Sequence, residues 1–133
     1  MDGYRRLARL FKALAHPVRL QILDELGREG EACVCHLEHA LGQRQACISQ
    51  HLSRLREGGF VVDRRDGLNV FYALSDASIE SLLAEARAIV QERASTKLAF
   101  RPASGRPRTA CPCPRCARRP PMLTSESVRR PRP

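Results

Sequence analysis

No apolar run in this 133-residue sequence approaches the ~20 residues that a membrane-spanning helix needs. The opening Met1-Asp2-Gly3-Tyr4-Arg5-Arg6 leads into an amphipathic stretch, not the apolar core of a secretory leader. No membrane association is expected, and the expected compartment is the cytoplasm. There the six cysteines should be mostly reduced, so clustered Cys points to metal or redox chemistry before structural disulfides. No Cys-x-x-Cys stands at a strand-to-helix junction and no glycine loop suited to phosphate is present, which argues against a small thiol or metalloid reductase. No internal repeat is visible. The length suits one domain with an appendage, since two separate cores of this size would each be marginal.

Acidic residues are scarce at one end. Residues 1–100 carry 14 basic and 13 acidic side chains, whereas 101–133 carry nine basic and one acidic. Nearly all of the +9 formal charge therefore sits in the tail, and the remainder is almost neutral. The tail also holds eight of the nine prolines and few aliphatic residues, too few to offset its ordering entropy. The expected organisation is a folded domain over 1–99 and a Pro/Arg/Cys-rich tail over 100–133, disordered or extended unless a ligand pins it.

Tyr4, Leu7, Ala8, Phe11, Leu14 and Ala15 recur at helical spacing. Pro17 suits the first turn of a second helix, which carries Leu20, Leu23 and Leu26 and is expected to stop at Gly27. Residues 29–32 read as a loop or short strand. A short helix over about 35–41 ends at Gly42, and another over about 44–57 buries Ile48, Leu52 and Leu55. Two β-rich runs, 60–65 and 69–74, flank Asp66-Gly67, a strong hairpin signal. Ser75 or Asp76 can cap a last helix with Ile79, Leu82, Leu83, Ala86 and Val90 on one face, a stripe suited to a core or to a dimer interface.

The order helix, helix, short helix, tight turn, helix, hairpin, helix is that of a winged helix-turn-helix, mainly α with a β-hairpin wing. The helix after the turn is rich in hydrogen-bonding side chains. At 100° per residue, Ile48, Leu52 and Leu55 share one sector, while Ala46, Ser49, Gln50 and Ser53 lie broadly opposite. Gln45, Ser49 and Gln50 are the candidates for reading base edges in the major groove of double-stranded DNA. Arg44 and Arg54 on the flanks, and Arg64 and Arg65 at the expected hairpin tip, are the candidates for phosphate contacts.

Four stretches together resemble the ArsR/SmtB family of metal-responsive repressors: Ala15-His16-Pro17-Val18-Arg19-Leu20-Gln21-Ile22-Leu23; Cys33-Val34-Cys35-His36-Leu37; Ile48 through Val61; and Tyr72-Ala73-Leu74-Ser75. The likeness covers roughly residues 5–95. It implies a homodimer, an operator of two-fold character, and repression relieved by a metal ion or metalloid.

Cys33-Val34-Cys35 lies at the start of the third helix, where a helix N-terminus favours thiolate. Residues two apart on a regular helix diverge, so one ion can take both sulfurs only where the backbone is irregular or unwinds. The family's arsenic-sensing branch is similar, with a Cys-Val-Cys-Asp-Leu-Cys run. Here His36 replaces the Asp and Glu38 stands in place of the third Cys. The missing thiolate could come from the tail cluster Cys111-Pro112-Cys113-Pro114-Arg115-Cys116, where Arg115, Arg118 and Arg119 favour the thiolate form. Cys47 reads as a small half-buried residue before a ligand; His36 and His39 could be metal ligands, but lone His residues on a short exposed helix are more often solvated. The zinc- and nickel-sensing branches resemble one another in placing His and carboxylate ligands on the last helix, which here has no His. Thiolate chemistry then points first to trivalent arsenic or antimony as inducer, and next to cadmium or lead. Two alternatives stay open: a thiol-redox sensor on the same fold, and a zinc knuckle in the tail, which lacks a nearby fourth ligand.

Overall fold

The computed structural model describes residues 2–100; Cys111, Cys113 and Cys116 lie outside them. Helix α1 (Gly3–Leu14) opens on Asp2, whose carboxylate accepts the Tyr4 N–H. Helix α2 (Pro17–Glu29) has proline in its first turn, and His16 caps it by accepting the Val18 N–H on Nδ1 at 3.1 Å. It does not stop at Gly27. A Cβ at Gly27 would stand 3.4 Å from the Glu80 side chain, an ordinary contact, and α2 runs through this glycine to end at Gly30, φ 81°.

A two-residue strand, β1 (Ala32–Cys33), leads directly into α3 (Val34–Leu41), and α4 (Gln45–Glu57) follows a tight turn. The wing is β2 (Val61–Asp66) and β3 (Asn69–Leu74), and α5 (Ala77–Arg93) closes the unit. The three strands form one antiparallel sheet in the order β1-β3-β2. Gly67 (φ 61°) and Leu68 make the hairpin loop, and among the described residues only glycines have positive φ. That combination fits a II′ turn, with glycine at the first central position. The tip therefore lies at Gly67–Leu68. Arg65 stands opposite Val70 and Arg64 opposite Phe71, so Arg64 is set back along the ladder instead of at the tip.

The core is continuous across α2, α3, α4 and the base of the wing. Ile22, Leu37, Ile48, Leu52 and Leu55 are wholly inaccessible to solvent, and Leu23, Leu26, Phe60 and Val61 close around them. This is a winged helix-turn-helix, with α3 and α4 as the helix-turn-helix pair and β2–β3 as the wing.

Candidate nucleic-acid interface and thiol site

Gly42 sets the angle between α3 and α4. Its φ of 66° is left-handed, and its N–H caps α3 by bonding to the Glu38 carbonyl; glycine adopts this conformation without the strain a side chain adds. With Ile48, Leu52 and Leu55 turned into the core, α4 presents Arg44, Gln45, Ala46, Gln50, Ser53 and Arg54 to solvent, with Ser49 half-buried among them. Amide, hydroxyl and guanidinium groups thus share one convex face.

His51 does not belong to that face. Its ring lies 4.3 Å from His16, centroid to centroid, and its Nδ1 accepts from Arg19 Nε at 3.2 Å. Arg19 also donates to the Ala13 carbonyl at 2.8 Å. Helix α4 is thereby pinned to the corner between α1 and α2. Burial holds the His51 pKa below its ordinary value, and His16, Arg19 and Arg54 push it the same way. The sequence carried a signal for this, since three residues at about 100° each put His51 beside the buried sector of Ile48.

Arg64 is tied inward. Its Nε donates to Glu31 at 3.1 Å and its Nη2 to the other carboxylate oxygen. Its guanidinium carbon stands 4.8 Å above the Phe71 ring. The Glu31 hydrogen bond raises the Arg64 pKa further above its normal range. Arg65 is exposed.

Cys33 is buried and is the N-cap of α3, with extended backbone (φ −85°, ψ 166°); its Sγ accepts the His36 N–H at 3.3 Å. It therefore lies outside the regular helix, where the divergence of helical residues two apart does not apply. Cys35 is half-buried and packs against the pair Cys33 and Phe71. Cys47 is half-buried against the core, with Sγ 3.8 Å from the Gln43 amide oxygen. All three described cysteines are thiols.

His36 is not solvated. It is 4% exposed, because its place between Cys35 and Leu37 turns it toward α2, where its Nε2 lies 3.0 Å from Glu25 Oε1. Arg28 holds the other Glu25 oxygen at 2.6 Å. His39 and Glu38 are half-buried.

Helix α1 buries only Leu14 among its own residues. Tyr4, Leu7 and Phe11 form an exposed apolar stripe along it, and Ile89 and Val90 are half-exposed on α5. Among the described residues of one chain, no element covers Tyr4, Leu7 and Phe11 fully.

A family model described as bacterial regulatory protein, arsR family, matches residues 16–62. The arsenic resistance transcriptional regulator ArsR1 of Pseudomonas putida is 49% identical over 65 residues, 49% of this chain and 51% of that protein. The arsenical resistance operon repressor of Escherichia coli K12 is 52% identical over 66 residues, 50% of this chain and 56% of that one. The matches thus span little more than half of either arsenic regulator. A transcriptional repressor SmtB homolog of Synechocystis is 37% identical over 92 residues, 69% of each chain. Among solved structures, a homodimeric winged helix-turn-helix DNA-binding domain from Mycobacterium bovis superposes with a TM-score of 0.63 at 31% identity, over 74% of this chain and 98% of that one. The antimony-specific transcriptional repressor AntR superposes at 0.59 and 31% identity, over 65% of this chain and 78% of that one.

Proposed function

We propose that this chain, which belongs to the arsR family of bacterial regulatory proteins, is a cytoplasmic homodimeric repressor released from its operator by trivalent arsenic or antimony. The family is one of DNA-binding transcriptional regulators, not enzymes. The observation that carries the inducer reading is the position of Cys33: the thiol caps the first helix of the DNA-reading pair. The names of the arsenic and antimony regulators among its relatives point the same way.

Three-coordinate binding needs three sulfurs within roughly 2–2.5 Å of one centre, on the scale of known thiolate–metal bonds. An ion shared with Cys35 would draw the Cys33 sulfur toward it and so strain its bond to the His36 N–H, weakening the cap on the first turn of α3. Cys35 supplies the second sulfur, and Cys111, Cys113 or Cys116, on the same or the partner subunit, the third. The intervening sequence can deliver it at modest cost, because closure entropy grows slowly with loop length. The ion prefers the deformed state and DNA the capped one, so each weakens the other reciprocally.

On DNA, Gln45, Ser49 and Gln50 read base edges, Arg44, Arg54 and Arg65 meet phosphates, and Arg64 supports the wing while its outer edge faces the backbone. The apolar stripe of α1, with Ile89 and Val90 of α5, forms the dimer interface. Residues 1–99 act as the folded unit, and the basic tail beyond adds non-specific affinity through phosphate neutralisation.

One operator-binding titration tests the reading, run in parallel with arsenite, trivalent antimony, cadmium, lead, zinc and an oxidant. Release by arsenite or antimony at the lowest concentration supports it. Release by cadmium or lead alone, or by oxidant without metal, replaces the inducer while leaving the DNA-binding role intact.

A further inference from the structure

Helix α2 ends against its own electrostatics. The C-terminal end of a helix carries partial negative charge and favours cations, yet the last six residues of α2 include Asp24, Glu25 and Glu29. Glu25 and Glu29 are four apart, the spacing at which like charges repel on a helix face. Arg28 pairs with Asp24 and Glu25, and Arg87 of α5 pairs with Asp24 at 3.1 Å. Three carboxylates and two guanidinium groups thus crowd the end of α2, where Glu25 is buried.

The buried His36 faces that cluster from α3. Donor atoms of Glu25, Glu29 and His36 all lie within 4.8 Å of one another. The geometry points to a second metal site formed by Glu25, Glu29 and His36, suited to a borderline divalent cation of the zinc class. Zinc binds imidazole and carboxylate donors at roughly 2.0–2.2 Å, so two tetrahedral ligands stand roughly 3.4 Å apart. The 3.0 Å between His36 Nε2 and Glu25 Oε1 is close to that edge. Glu29 is half-buried, and its donor oxygen lies within 4.8 Å of both other ligand atoms, so it is placed to close the third side. Arg28, on the far oxygen of Glu25, is placed as the outer partner that orients a ligating carboxylate.

This donor set has no sulfur, so it discriminates against trivalent arsenic and in favour of zinc. It joins α2 to α3 across 11 residues of sequence and would clamp α3 next to the thiols. The site does not rest on the inducer reading, since none of its ligands is a thiol.

The test uses the full-length chain with all six cysteines replaced by serine, titrated with zinc and, for spectroscopy, with cobalt(II). Expected are one zinc per chain at micromolar or tighter dissociation constant, and weak visible cobalt bands without thiolate charge transfer. Glu29→Gln and His36→Gln should each weaken zinc binding by more than the ~10–100-fold that outer-shell partners cost. Glu29 is the decisive position, because its half-exposed side chain can be changed without unfolding the chain, as a melting curve will verify. No zinc bound, or an affinity unchanged by Glu29→Gln in a folded variant, overturns the site and leaves an ion-pair network in its place. Arsenite release of the unmodified protein is unaffected by either result, so the two readings fail separately.

Discussion

Glu31 and Arg64 lock the wing to the entrance of the DNA-reading pair. The carboxylate takes both donors of the guanidinium in a bidentate pair, and Glu31 stands two residues before the capping thiol Cys33. Arg64 also lies over Phe71, the residue that faces Cys33 across the β1–β3 ladder. Movement at Cys33 therefore has a short physical route to the wing. Because Arg64 is largely exposed, the pair adds little to stability. Glu31→Gln should leave the melting temperature nearly unchanged and reduce the factor by which arsenite weakens operator binding. An unchanged factor in fluorescence anisotropy would show that the wing is not coupled to the thiol site.

The face of α4 should divide cleanly into reading and anchoring. Gln50→Ala should cost about 1–3 kcal/mol on the operator if Gln50 makes a bidentate base contact, with little change on random DNA. Arg65→Ala should weaken both equally and flatten the salt dependence by about one phosphate contact. Competition binding at several salt concentrations separates the two, and retained operator discrimination in Gln50→Ala would move the reading role elsewhere on the helix.

Local chemistry makes much of this fold legible. Pro17 in a first helical turn, Gly42 between two short helices and Asp66-Gly67 between β-rich runs each specify backbone geometry from their own residue type, and each element forms close to its expected place. What the sequence hides depends on distant partners. His36 reads as solvated because its partner Glu25 lies 11 residues away. The tie of Arg64 to Glu31 is hidden because the two lie 33 residues apart. Glu25 and Glu29 escape as partners of the candidate ligand His36 for the same reason, though an i, i+4 glutamate pair in the last turns of a helix is a conflict readable from the residues alone.

His51 gives the fold an acid sensitivity of known sign. Its pKa is lowered in the folded state by burial first, then by His16, Arg19 and Arg54, from an ordinary value near 6.5. Below about 6.5 the unfolded chain takes up a proton that the folded one refuses, so stability falls as pH drops until the folded His51 also titrates. Above that window His51 contributes no pH dependence. His51→Gln keeps an acceptor for Arg19 and cannot titrate. Urea unfolding at about pH 7.5 and about pH 5.5 should show wild type losing more stability than this variant; equal losses would place the acid sensitivity on other groups.

The stripe on α1 should hold two chains together. Phe11 is half-exposed in one chain, and a dimer would cover two copies. At about 1.5 kcal/mol per copy, the low end for burying such a side chain, Phe11→Glu should weaken dimerisation about 100-fold and leave the monomer folded, since only Leu14 of α1 is buried. Sedimentation velocity at micromolar concentration should move from dimer to monomer. A wild type that is monomeric there would remove the interface altogether.

The thiol mechanism depends on two groups of cysteines doing different jobs, and serine separates them. A serine hydroxyl is itself a favoured N-cap, so Cys33→Ser keeps an acceptor for the His36 N–H and preserves α3 while removing the soft ligand. Cys33→Ser with Cys35→Ser should therefore bind the operator normally and ignore arsenite. Replacing Cys111, Cys113 and Cys116 together leaves two sulfurs at the helix start, too few for three-coordinate binding, and should also block release. Cys47→Ser should respond like wild type, because Cys47 sits against the core beside Gln43, away from the α3 cap. A hundredfold loss of DNA affinity on induction needs only about 2.8 kcal/mol of coupling, at ~1.4 kcal/mol per factor of ten, well within what differential capping and thiolate bonds can supply. Each variant is titrated with arsenite on the operator. A normal response from the tail triple variant removes the tail from the sensor and makes the partner subunit or solvent the source of the third ligand. A normal response from the Cys33/Cys35 variant moves sensing to the tail, and release can then no longer arise from uncapping α3.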